Sequence, residues 1–177
     1  MNFVVDGMLG KLARWLRMMG HDAKYSNVAN DAELLATAKM ENRVLLTRDF
    51  ALFEQAVAKN VGAYYVEGAT EPERLANIAA RFDIPLEIDL EKSRCPKCNT
   101  KLASVSKEEI AGAVEKNTLE HYNTFWKCPG CNAVYWQGAH WTKIRATLEE
   151  AKKLKEKKSP LGNHKPLQRN ILEGSVG

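Results

Sequence analysis

Four cysteines stand at Cys95, Cys98, Cys128 and Cys131, as two copies of Cys-Pro-x-Cys. Turns of this type each present a pair of thiolates, and two of them complete the tetrahedral sulfur shell that a structural Zn2+ prefers. A redox Cys-x-x-Cys needs only one pair, normally opening a helix, whereas both pairs here lie among turn formers, Arg94-Cys-Pro-Lys-Cys-Asn99 and Lys127-Cys-Pro-Gly-Cys-Asn132. Disulfides are disfavoured by the intracellular setting that the rest of the chain suggests. A structural zinc is therefore expected on these four residues, with no coordination position left open for catalysis. Four thiolates with one Zn2+ would take the formal charge of +4 to about +2.

A second group of chemically capable residues is acidic. Asp6 ends the apolar run Asn2-Phe-Val-Val-Asp6, Asp31 follows Asn30 in a capping-box pattern with Glu33, and Asp49 comes two residues after Arg43-Val-Leu-Leu-Thr47. Each has a plain local reading: Asp6 ends a strand, Asp31 favours the positive end of a helix, and Asp49 caps one. Taken together they suggest more. If the runs are parallel strands, Asp6, Asp31 and Asp49 project from one sheet edge, where uncompensated carboxylates repel unless a hard cation such as Mg2+ or Mn2+ neutralises them. Metal-assisted hydrolysis is the natural use. Glu33 is a possible fourth oxygen donor, although the capping box can occupy it.

The elements that must position these residues are legible from periodicity. Residues 8–19 carry Leu9, Leu12, Trp15, Leu16 and Met19 at helical spacing, with Gly20 as the stop, and Asp22 to Ser26 reads as a second strand. Asn30 opens a helix to about Glu41 with Leu34, Leu35 and Ala38 inward. Arg43 to Thr47 is a third strand, nearly all apolar as a strand covered on both faces should be, and Asp49 caps a helix from Phe50 to Lys59 with Phe53, Ala56 and Val57 inward. Val61 to Val66 is a fourth strand, Thr70-Glu-Pro-Glu73 caps a helix through Phe82, and Ile84 to Asp89 is read as a fifth strand. Such alternation predicts an α/β fold with a mainly parallel sheet, whose ligands sit outside the C-terminal strand edge. The metal knuckles follow, with a helix expected from Ser106 to about Lys116 and a strand from Ala133 to Trp136. The predicted division is an α/β domain over residues 1–90, a zinc ribbon over 91–144, a charged helix over 145–158 and an extended tail over 159–177.

The blocks Asp6-Gly-Met-Leu-Gly-Lys-Leu-Ala-Arg-Trp-Leu-Arg17, Asp31-Ala-Glu-Leu-Leu-Ala36, Leu45-Leu-Thr-Arg-Asp49, the two knuckles and Gly138-Ala-His-Trp141, in this order, resemble the Mut7-C family over about residues 2–145. The resemblance implies a PIN-like three-layer ribonuclease domain carrying a zinc ribbon, and Mg2+- or Mn2+-dependent cleavage of RNA. Carried over, Asp6, Asp31 and Asp49 match acids of the PIN pattern. The acid usually found on a helix between the first two is missing; that stretch holds only Asp22, in a strand-like setting. On this reading Lys11, Arg14 and Arg48 contact backbone phosphate, with a solvated helix face or salt bridges to the acids as the bland alternative, favoured for Arg17. Tyr135, Trp136, His140 and Trp141, near Lys143 and Arg145, combine stacking surface with charge in a way suited to single-stranded RNA, unless they simply fill the small ribbon core, the reading favoured for Trp126.

Composition sets the remaining bounds. With 177 residues, 45% apolar and 27% charged, the chain is an ordinary globular protein of one domain and an appendage. It has no apolar run of membrane-crossing length, and a charged residue interrupts the start where a signal peptide would be apolar, so a cytoplasmic protein is expected. Residues 1–90 carry 10 basic against 13 acidic side chains, and residues 91–177 carry 16 against 9. A basic half beside an acidic one suits a polyanion held by one and processed by the other, although a solvated Lys-rich tail explains much of the excess. The partners expected are RNA and a ribonucleoprotein particle. The competing function is an RNA- or ribonucleoprotein-binding module with weak or no hydrolysis. A phospho-acceptor domain would need an acidic pair at the first strand, which Val5-Asp6-Gly7 does not supply.

Overall fold

The computed structural model describes residues 1–158. Its centre is a four-stranded parallel sheet in the order β2-β1-β3-β4, formed by β1 (Asn2–Val5), β2 (Asp22–Tyr25), β3 (Val44–Thr47) and β4 (Ala63–Tyr65). Alternate strand residues feed opposite faces. Phe3, Val5 and Leu46 meet α1 (Gly10–Met18), α4 (Glu71–Phe82) and α6 (His140–Lys158) through Leu12, Leu16, Leu75, Ile78 and Leu148. Val4 and Leu45 face α2 (Asp31–Met40) and α3 (Phe50–Ala58) through Leu34, Leu35, Leu52 and Ala56. The result is the expected mixed α/β arrangement in three layers, with β1 and β3 apolar because both their faces are covered.

The helix starts follow local chemistry. Asn30 and Glu33 exchange side-chain and backbone hydrogen bonds at the start of α2, and Thr70 and Glu73 do the same for α4. Asp49 accepts from the Leu52 amide at 3.1 Å and so caps α3. Leu52 is buried on that helix, and Val57 is only half-buried.

Three expectations need correction. Ile84 to Asp89 forms no strand: Ile84 and Leu86 are buried as a loop that runs back under the core, without a neighbouring strand to pair with. The stretch after Ser106 forms only a 3-10 turn at Glu108–Ile110, and the helix there is instead α5 (Lys116–His121). The charged helix begins at His140 rather than Arg145, and its buried Leu148 and Ala151 pack it into the α/β core beside α4. The ribbon also has two strands beyond the expected one: β5 (Ala103–Val105) and β6 (Phe125–Lys127) pair antiparallel, and β7 (Val134–Tyr135) completes the sheet. The tail expected over 159–177 lies outside the described residues. Among the described residues no helix is long and apolar enough to cross a membrane.

Candidate active site and metal centre

The four cysteine sulfurs lie within 4.8 Å of one another. Cys95 and Cys131 are 3.6 Å apart and Cys98 and Cys128 3.3 Å, close to the S···S edge of about 3.8 Å in a tetrahedron built on 2.3 Å Zn–S bonds. This cluster could hold zinc. The two knuckles are built alike: Asn99 donates its amide to the Cys95 carbonyl and Asn132 to that of Cys128, and both asparagines have positive φ, 70° and 58°. Thr100, through its side chain and backbone, holds the Cys98 thiol down to about 6, whereas burial pushes Cys128 up to about 12. Tyr135 Oη lies 3.1 Å from Cys95 Sγ, a contact that orients the sulfur.

The first knuckle is fastened to the free edge of β2. Ala23 presents its N–H and C=O outward; the N–H donates to Asn99 Oδ1 at 3.2 Å, and the C=O accepts from Arg17 Nε at 2.8 Å. Arg17 also donates to the Pro96 and Lys97 carbonyls, at 2.9 and 3.3 Å. The expectation of a solvated or acid-paired Arg17 is thus corrected: it is buried, its α1 position faces the ribbon, and it clamps the knuckle. Asp22 sits beside this seam at the N-terminal end of β2. Burial would raise its pKa, but Arg43 at 2.8 Å, Asn99 at 2.8 Å and Arg94 at 3.7 Å hold it below the usual carboxylate range. Asp22 is therefore structural and points away from the other acids' edge.

At the opposite, C-terminal edge, Asp6 follows β1, Asp49 follows β3, and Asp31 opens α2 after β2. Asp6 and Asp49 are joined through Thr47, which no sequence expectation included: its hydroxyl donates to Asp6 Oδ2 at 2.6 Å and accepts from the Asp49 amide at 2.9 Å. A single polar side chain closing the apolar run Val-Leu-Leu-Thr was the signal that could have found it. Asp31 is exposed and separated from β2 by the Ser26–Asn30 turn, in which Ser26 Oγ accepts from Val28 and Ala29. Glu33 is engaged in the capping box, its Oε2 accepting from Asn30 N at 2.9 Å. Among the described residues, only the cysteines form a group of three or more candidate metal ligands; the acids form no such group. None of Asp6, Asp31, Asp49 or Glu33 forms an ion pair among the described residues.

The loop after β4 reaches the same edge and brings Glu71, also unanticipated. Its Oε1 pairs with Arg74 at 2.6 Å, while its Oε2 is buried without a hydrogen-bond partner. Its capping-pattern setting hid it. Glu71 lines a hollow with Lys11 and Gly10, so the basic start of α1 and this acid face one space. Arg48 donates to the Gly68 carbonyl and braces the β4–α4 loop. Arg14 is exposed on α1 beside the ribbon, Lys143 is exposed on α6, and Trp141 packs half-buried against the ribbon core. Trp126 is buried, as expected of a packing residue, with its indole N–H donating to Glu91 at 3.1 Å.

A family model described as Mut7-C RNAse domain matches residues 1–148. The chain belongs to the Mut7-C RNase domain family. The match spans the acid edge, the ribbon and the start of α6 together, and gives the chain a ribonuclease-like function with RNA as the substrate that the family suggests. No curated protein and no solved structure matches the chain.

Proposed function

We propose that this chain is a divalent-metal-dependent ribonuclease of PIN-like architecture, hydrolysing RNA phosphodiesters at the C-terminal sheet edge, with structural Zn2+ on Cys95, Cys98, Cys128 and Cys131. The observation that carries the reading is the Asp6–Thr47–Asp49 link, in which one hydroxyl donates to the Asp6 carboxylate and accepts from the Asp49 backbone amide, with no ion pair to either acid among the described residues. The donor set suits Mg2+ or Mn2+: it is all oxygen, and Mg2+ keeps several waters and takes one or two carboxylates directly, so the acids need not close to the 4.8 Å spacing of the sulfurs. The orphaned Glu71 Oε2 is a further oxygen that a hydrated cation can satisfy. Asp6 and Asp49 would hold the ion, with Asp31 and Glu33 in support; when bound, it would lower the pKa of the attacking water and neutralise charge developing on the phosphate. Lys11 and Arg14 would hold the flanking phosphates. Arg48 would act by fixing the loop that carries Glu71. Trp141 and Lys143 would bind the strand beyond, either free or within a ribonucleoprotein particle.

That the acids form no close group of three among the described residues favours one other reading, an RNA-binding module with little hydrolysis. A cleavage assay separates the two. Labelled single-stranded and structured RNA, with and without Mg2+ or Mn2+, should be cut by wild type only with the metal, and Asp6→Asn and Asp49→Asn should each lose about a hundredfold or more. Equal cutting by all three proteins would assign the activity to a contaminant.

A further inference from the structure

A large cavity lies away from the acids. It has a volume of about 950 Å3 and lies along the seam between the ribbon and the α/β domain, within the roughly 300–1,000 Å3 typical of ligand sites. Aromatic side chains from three elements line it: Tyr122 after α5, Tyr135 and Trp136 from the end of the ribbon, and Trp141 from α6. Arg14 stands on its α1 side.

Two of these rings differ from the aromatic that merely fills the ribbon. Trp126 is buried with its N–H satisfied. Trp136 and Trp141 are half-exposed, and neither indole N–H makes a hydrogen bond among the described residues. Trp136 is nevertheless fixed in place. It packs on Phe125, and its Nε1 lies 2.8 Å from where a Cβ of Gly138 would stand, so the absence of a side chain at Gly138 is what admits the ring. A rigid, half-exposed aromatic beside an unpaired arginine is suited to a ligand that is flat and apolar on one part and anionic on another.

The position of Arg14 connects this cavity to the acid edge. Gly10, Arg14 and Met18 recur every fourth residue along one side of α1. A second hollow, of about 430 Å3, is lined by Gly10, Arg14, Lys97 and Tyr135, and so shares Arg14 and Tyr135 with the first. Arg14 makes no ion pair among the described residues. Asp6 lies eight residues before it, roughly 12 Å along a helical path, so a strand passing the acids can follow α1 to the ribbon.

We propose that this seam is a nucleobase subsite: an unpaired base of a single RNA strand stacks among Tyr122, Trp136 and Trp141 while its phosphate meets Arg14. The inference rests on RNA being the substrate and adds where, and in what form, the strand is held. A duplex, whose bases are already stacked, does not fit.

The test uses full-length protein carrying Asp6→Asn and Asp49→Asn, so that binding neither requires nor reports cleavage. Its affinity is measured for a labelled ten-nucleotide oligouridylate, an abasic strand of the same length and a duplex RNA. The abasic strand should bind about tenfold more weakly, within a range of roughly five- to hundredfold for one stacked base. Adding Trp136→Leu, or Tyr122→Leu from a different element, should weaken oligouridylate to the abasic level and leave the abasic strand unchanged, in protein that still carries one zinc per chain. Equal binding of the abasic and base-bearing strands, equal binding of the duplex, or an equal loss on both strands in the variants would each overturn the subsite. Wild type that fails to cut RNA, beside a normal base-dependent difference, would remove the hydrolysis and keep the subsite; cutting without base dependence would do the reverse.

Discussion

Asp22 and Asp6 lie at the two ends of one sheet and have opposite surroundings. Asp22 meets Arg43, Arg94 and the Asn99 amide, and its charge is spent on attaching the ribbon. Asp6 meets a hydroxyl that also accepts from the Asp49 amide, and among the described residues neither carboxylate forms an ion pair. Proteins surround structural acids with their own partners, because an unpaired one near low dielectric is destabilising. Acids without an ion pair among the described residues, at the edge where α/β sheets bind ligands, are what the proposed cation from solution would engage.

The contrast can be broken by substitution. Asp22→Ala removes one of two carboxylates on the buried Arg43, Glu41 remaining at 2.7 Å, together with the acceptor of Asn99, and the loss should be about 2–4 kcal/mol, or at 2–4 °C per kcal/mol a fall of roughly 4–16 °C in Tm. Asp49→Asn, by contrast, keeps a good N-cap and should change stability by no more than about 0.5 kcal/mol. Comparable losses in the two variants would erase the distinction. Thr47→Val comes next. It removes a fully buried hydroxyl and leaves Asp6 and the Asp49 amide short of a partner, for about 1–3 kcal/mol by denaturant melts and a ten- to hundredfold loss of divalent-ion affinity.

The smallest effect is on pH dependence, and it sharpens the picture of the Asp22 end. His21, next to Asp22, is held down to about 4, first by burial and then by the neighbouring amino terminus, and its Nε2 is buried without a partner. The folded state therefore binds its proton less readily than the unfolded chain, whose histidine titrates near 6.5. Stability is fully present above about 6.5 and declines as pH falls towards 4, by about 1–2 kcal/mol after allowance for partial solvent access. The Asp22 contribution, from a depressed carboxyl, is lost only at lower pH. Melts between pH 7 and 4.5 should show the decline in wild type and much less of it in His21→Gln; an unchanged slope would contradict the assignment.

The sequence resolved these two ends unequally, for physical reasons. The cysteines, capping boxes and apolar runs act within a few residues, so the four-cysteine cluster, α2, α4 and the placement of the three acids were legible from spacing. Roles that depend on contacts across the fold were not. Arg17 looks like one more base on an amphipathic helix until Pro96 and Lys97, almost 80 residues away, provide its acceptors. Asn99 reads as a turn residue, yet its side chain closes the edge of β2. Thr47 gains a partner only when β1 and β3 pair. Ile84 to Asp89 shows the converse: strand-like composition with no free strand position beside it becomes a buried loop.

The central claim is that the acid edge takes a divalent cation, and Mn2+ binding followed by electron paramagnetic resonance tests it without relying on cleavage. Zinc-loaded wild type should remove at least one equivalent of Mn2+ from the free signal. Asp6→Asn and Asp49→Asn, with zinc and fold retained, should each weaken that binding tenfold or more, by order of magnitude. Mn2+ binding that is absent from wild type, or identical in all three proteins, would contradict the account.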